Sequence, residues 1–153
     1  MNLKEQVNDW LRQYGNAKGK FFRLNSDGVF AACDEDGQEY VVDVPDDSSY
    51  VYFCAPIVVL NDAENRQQDL ECALKWNLWG KDTQGGTLSF EEISQRVVFH
   101  QRYPAEHLDK DSFSQQFDRF IASVRHIQSL WKSYRQEWKP SAVDPDVNTM
   151  LRI

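Results

Sequence analysis

No run of apolar residues in this 153-residue chain approaches the roughly eighteen that a membrane-crossing helix needs, so no transmembrane segment is expected. Cationic surplus is missing too. Seventeen Lys and Arg stand against 24 Asp and Glu, a formal net charge of −7. Such a chain is repelled on average by polyanions, so neither a nucleic-acid partner nor membrane insertion is expected. Cysteine is scarce and odd in number. Cys33, Cys54 and Cys72 lie in separate apolar runs, which fits reduced, packed thiols and a cytoplasmic location. The opening Met1-Asn2-Leu3-Lys4-Glu5-Gln6 carries charge where a signal peptide needs an apolar stretch, in line with that expectation.

Motifs of catalysis and metal binding are absent as well. There is no Gly-x-Ser-x-Gly, no His-Glu-x-x-His and no dinucleotide fingerprint, and Gly85-Gly86 is not followed by the Lys-Ser/Thr of a phosphate loop. His100, His107 and His126 stand at no metal-forming spacing from a cysteine or from each other. Asp34-Glu35-Asp36-Gly37 superficially resembles a calcium loop. Placing Gly37 at that loop's glycine puts Ala32 at the first ligand position, which is the wrong chemistry, so the stretch reads as a turn. No catalytic residue, metal or cofactor is expected. A small enzyme built on His100 or a cysteine is an alternative that no motif recommends.

What the chain does contain is apolar mass: 41% of its residues, including 9 Phe, 6 Tyr and 5 Trp, enough for the core of one domain. Residues 1–139 read as that domain and 140–153 as a polar tail with an apolar end at Met150, Leu151 and Ile153. Leu3, Val7, Trp10, Leu11 and Tyr14 fall on one helical face, with Gly15 at the C-cap position. The period then changes. Extended runs at Phe21–Leu24, Val29–Cys33, Tyr40–Val44 and Tyr50–Leu60 are separated by Asp-Gly and Pro-Asp turns, which predicts three antiparallel strands and a short extra one at Phe21–Leu24. Pro56 predicts a bend or an end in the third.

Asn61-Asp62-Ala63-Glu64 predicts a helix start, and the helix is expected to run to Trp79 and stop at Gly80. Thr87–Phe90 and Gln95–Tyr103 read as a second hairpin ended by Pro104. From Phe113 to Trp138 apolar residues recur at three- and four-residue steps, the clearest helix in the chain, closed by Pro140. The fold class is therefore α+β: an α-β-β-β-α-β-β-α sandwich with helices packed on a twisted antiparallel sheet. Apolar residues exceed what one sheet face and one helix stripe need. Leu70, Cys72, Ala73, Leu74, Trp76, Leu78 and Trp79 spread around the second helix. Either helices cover both sheet faces, or exposed patches and an open strand edge receive another protein.

Three stretches carry a family resemblance: Leu24-Asn25-Ser26-Asp27-Gly28-Val29-Phe30-Ala31-Ala32-Cys33-Asp34, Tyr50 through Ile57, and Cys72-Ala73-Leu74-Lys75-Trp76-Asn77-Leu78. A fourth is the closing pattern Gly86-Thr87-Leu88-Ser89-Phe90, Arg96 through Pro104, then Leu108-Asp109 and the long helix. With the order of elements, these make the chain resemble the class I type III secretion chaperones, the Tir chaperone or CesT-like family, over roughly residues 1–135. The resemblance implies a bacterial cytoplasmic homodimer that binds the extended N-terminal region of a secreted effector and keeps it soluble and secretion-competent without ATP. A relative's role as a sequestrator of a regulator of secretion genes is the alternative partner class. By position, it implies an effector surface at Leu3, Val7, Trp10, Phe22, Leu24 and Val29. It implies a dimer interface at Leu74, Leu78, Trp79, Val97 and Phe99.

Overall fold

The chain's architecture was obtained as a computed structural model, which describes residues 1–60 and 63–137. The expected helix start at Asn61-Asp62, the end of the last helix at Trp138 and the 140–153 tail lie outside the described residues.

Helix α1, Leu3–Asn16, begins with a reciprocal cap: the Asn2 side chain accepts from the Glu5 N–H, and the Glu5 carboxylate accepts from the Asn2 N–H, each at 2.9 Å. The helix passes through Gly15 instead of stopping there. That glycine serves close approach: a Cβ on it would lie 2.6 Å from the Lys20 carbonyl oxygen. The expected short strand at Phe21–Leu24 does not form. Its backbone turns to α1, where the Leu24 N–H donates to Asn8 Oδ1 at 2.7 Å, so it is not available to the sheet.

Three strands follow, β1 (Val29–Cys33), β2 (Glu39–Asp43) and β3 (Tyr50–Val59), then helix α2 (Ala63–Asn77). After a 3-10 turn at Leu78–Gly80 come β4 (Thr87–Glu91), β5 (Arg96–Pro104) and the long helix α3 (Lys110–Glu137). All pairings are antiparallel and the spatial order is β1-β2-β3-β5-β4. Pro56 acts as its chemistry requires: β3 continues past it, with a register shift between Pro56 and Val58.

All three helices gather on one face of the sheet. Phe30, Val42, Phe53, Ala55, Phe99, Val97 and Leu88 project from successive strands into the core on that side. Phe113, Phe117 and Phe120 of α3 pack around Phe53 at ring separations of 5.2–5.7 Å, and Phe120 stacks on Phe99 at 5.4 Å. α1 reaches the same layer through Trp10 on Phe113 and Tyr14 on Phe117. α2 reaches it through Trp76, which meets Trp131 edge-on. Each fully buried Phe here stabilises the fold by about 1.5–3 kcal/mol relative to an exposed one. One buried polar cluster joins α2 to α3. Asp69, fully buried, accepts from Trp131 Nε1 at 2.8 Å and from Arg135 at 2.5 and 3.0 Å.

The opposite face, bearing Val41, Tyr52, Cys54, Val98, His100 and Ser89, carries no helix among the described residues. The reading in which helices cover both faces is thereby excluded for residues 1–60 and 63–137.

Candidate protein-docking surfaces

Each edge of the sheet is met by an asparagine. β4 is flanked by the end of α2, where the Asn77 carboxamide donates to the Leu88 carbonyl and accepts from the Leu88 N–H, both at 2.8 Å. A side chain thus occupies the place a neighbouring strand would take. β1 pairs with β2 on one side; on the other, Asn25 donates to the Val29 carbonyl at 2.8 Å and accepts from the Val29 N–H at 2.9 Å, and beyond Val29 no strand pairs with Ala31 to Cys33 among the described residues. An extended segment from another chain has a place to add there.

Beside that edge lies a slot of about 340 Å³ between the end of α1, β1 and α3. Its apolar lining includes Phe22, Phe30, Phe117 and Ile121, and Phe22 and Phe30 are in ring contact at 4.7 Å. Lys18, Lys20 and Arg125 stand at the mouth with Asp34 and Asp118. Both carboxylates are engaged. Asp118 accepts from the Tyr14 hydroxyl at 2.6 Å; burial, then that bond and charge, push the Tyr14 pKa up. Asp34 Oδ1 accepts from the Asp36 and Gln38 N–H groups and Oδ2 from the Tyr40 hydroxyl. Burial alone would raise the Asp34 pKa, but these bonds together with Arg125 outweigh it and hold the carboxyl below its ordinary value.

Exposed apolar side chains also stand on α2, on the 3-10 turn after it and on the β4–β5 hairpin, together called the ledge. Leu74, Leu78, Trp79, Phe90 and Ile93 are all exposed, Trp79 to 91% and Ile93 to 96%. α2 ends at Asn77, two residues before the expected stop, because Trp79 has φ +64° and the left-handed turn continues into Gly80. For a residue with a Cβ that conformation is disfavoured, and here it displays an indole to solvent.

A third depression, on the open face, is lined by Tyr52, Thr87, His100 and Arg102. Ser89 Oγ lies 2.8 Å from His100 Nε2, and burial, then Arg102, lowers the imidazole pKa.

Four residues expected on surfaces are core residues instead. Val7 and Leu24 are buried beneath α1, and Val97 and Phe99 point from β5 into the helical layer. The parity of β5 decides the last two, since alternate residues of a strand face opposite sides. Phe22 lines the slot, Leu3 and Trp10 are half-buried against the core, and Val29 is half-buried at the start of β1. Leu74, Leu78 and Trp79 are on the ledge. Sequence reasoning missed Phe90, Ile93, Lys18, Lys20, Ile121 and Arg125. Ile93 had a readable signal, an apolar residue in the Glu91-Glu92-Ile93-Ser94 turn.

Among the described residues no group of three or more His, Cys, Asp or Glu comes together to hold a metal ion, and no helix is long and apolar enough to cross a membrane.

No curated protein matches the sequence. Solved structures do match. The ExsC-ExsE complex contains a chain of TM-score 0.67 and 15% identity, covering 85% of this chain and 96% of that one. The HopA1-SchA chaperone-effector complex gives 0.66 at 14% identity, covering 85% and 95%. The heterodimeric ExoU-SpcU complex from the type III secretion system of Pseudomonas aeruginosa gives 0.57 at 17% identity, covering 81% and 96%. At such identities the likeness establishes the fold. The model of the Tir chaperone protein (CesT) family, however, matches residues 10–128, most of the sequence, from α1 through the five-stranded sheet and well into α3. The chain belongs to the Tir chaperone protein (CesT) family.

Proposed function

We propose that this protein is a cytoplasmic chaperone for a type III secreted effector, which it holds through an extended N-terminal segment, without ATP, while paired with a second copy of itself. The observation that carries the reading is the β1 edge: beyond Val29, whose N–H and C=O are met by Asn25, no strand pairs with Ala31 to Cys33 among the described residues, and an apolar slot lies beside them. Backbone hydrogen bonds to an edge strand give affinity for any extended segment, and a pocket for alternate side chains gives selection. Neither step needs nucleotide. The family, and structural neighbours that are themselves complexes with effectors, support the same assignment.

The ledge of Leu74, Leu78, Trp79, Phe90 and Ile93 is the surface for the second copy. Several large apolar side chains left exposed on neighbouring elements are a usual mark of a protein contact. Phe22 at the slot takes the client role beside Ala31 to Cys33 of β1; Val29, whose backbone is held by Asn25, supports the start of that strand, and Leu3 and Trp10 support α1 behind it.

The test is to purify the protein from its own host and measure its mass by light scattering, with mass spectrometry of whatever remains bound. A dimer of the 17.9 kDa chain carrying a secreted protein, released when Ile121→Lys fills the slot, is the expected result. A monomer retaining nothing in a secreting host removes the reading.

A further inference from the structure

The slot sits in an unusual stretch of this acidic chain. Residues 10–26 contain Arg12, Lys18, Lys20 and Arg23 and no Asp or Glu, although the whole chain has a formal charge of −7. Arg12 is paired with Asp9 at 2.5 Å. Lys18 and Lys20 are exposed and line the slot, where Arg125 joins them from α3. Lys18 Nζ lies over the Tyr14 ring, 4.6 Å from its centroid, which places this ammonium at the mouth. The two carboxylates in the lining accept hydrogen bonds from Tyr14 and Tyr40, and Asp34 from two backbone N–H groups besides. These bonds orient the two carboxylates; against them the lining sets three cations, Lys18, Lys20 and Arg125, of which the two lysines stand exposed at the opening. Immediately below is the apolar floor of Phe22, Phe30, Phe117 and Ile121.

A strand added to β1 would send every second side chain to the helical side of the sheet, about 7 Å apart. Phe30 and Ala32 of β1 mark that side and line the slot. An apolar side chain entering the floor would therefore have its neighbour two positions along at the cationic mouth.

We infer that the slot selects an acidic client: an extended segment in which an apolar anchor is accompanied, two residues away, by Asp or Glu that meets Lys18, Lys20 and Arg125. This rests on the proposed reading that a client strand adds to β1 and states which strands are taken. Charge of this kind also discriminates, since a segment with Lys at that position brings like charges together.

Three short fluorescein-labelled synthetic peptides with one pattern of alternating Val and Leu, and with Glu, Gln or Lys at the intervening positions of the same face, provide the probe. Anisotropy titrations at low and high salt compare the full-length protein with Lys18→Glu/Lys20→Glu and with Arg125→Gln. Exposed positions are chosen so that folding persists, checked by circular dichroism. The expected order is Glu over Gln over Lys, with about a tenfold span at low salt that shrinks at high salt, and inversion in the double variant. Equal binding of all three overturns the acidic selection and leaves the docking reading intact. Binding of none overturns both. An order unchanged in the variants places the preference elsewhere and overturns the inference. A change in the mass or hydrodynamic radius of the unliganded variant, with peptide affinity unmoved, means that the slot is filled by the chain itself or by a second copy, and also overturns it.

Discussion

Asn77 and the backbone of Leu88 hold each other by a matched pair of hydrogen bonds, each 2.8 Å, so that a single carboxamide covers the β4 edge at Leu88. Asn77→Leu keeps the volume and removes both bonds, leaving the Leu88 N–H and C=O at an exposed edge. The expected loss is about 1–2 kcal/mol in a urea titration, with increased self-association of the folded protein. Asn77→Asp, which keeps the acceptor, loses less. A wild-type midpoint in Asn77→Leu would show that the clasp contributes nothing.

The Asp69 cluster is the polar joint between α2 and α3. Asp69→Ala removes a buried carboxylate from Trp131 and Arg135 together, and the expected cost is about 3 kcal/mol, because the indole N–H is left in the core without an acceptor. Trp131→Phe in the Asp69→Ala background should recover part of it. A double-mutant cycle with no coupling would contradict this account.

Much of this fold was readable from periodicity. The turns at Asp27-Gly28 and Asp36-Gly37 and the apolar repeat from Phe113 to Trp131 produced the elements they predict. The site was less legible, for identifiable reasons. Period-two alternation says that Val97 and Phe99 share a face, but only the position of α3 says which face is covered. Gly15 reads as a stop signal, yet it is a contact with Lys20 formed once the chain has doubled back. Lys18 and Lys20 reach the slot about a hundred residues before Arg125 does, and no local pattern joins them.

The ledge makes a prediction about mass. Leu78→Asp combined with Ile93→Asp should turn the proposed dimer into a monomer by light scattering, with an unchanged far-ultraviolet spectrum, since both side chains are exposed in the single chain. A dimer that withstands both charges places the contact elsewhere.

His100 gives the stability a pH dependence of known sign. Burial, then Arg102, lowers its pKa in the folded protein below the ordinary value near 6.5. The unfolded chain therefore binds the proton more readily, and its contribution is fully present above about pH 6.5 and declines as pH falls from there through the lowered folded value. Thermal midpoints between pH 7.5 and 5 should fall in the wild type and fall less in His100→Gln. Parallel curves would assign the dependence to other groups.

The cysteines should react in a fixed order. Burial raises the Cys54 thiol to about 11 and the Cys72 thiol to about 12, while Cys33 is exposed at the end of β1. Iodoacetamide at pH 8 should add one label, at Cys33, before any appears on the others, as read by peptide mass spectrometry. Faster labelling of Cys72 would show that α2 opens.

The left-handed turn at Trp79 also gives the molecule an optical reporter. Among the described tryptophans, Trp76 and Trp131 emit from the interior and Trp10 from a half-buried position against Phe113, whereas the Trp79 indole emits into water. Any partner that covers the ledge moves that one fluorophore from solvent to an apolar contact, so association should announce itself as a blue shift in the red edge of the emission band, without a dye or a tag.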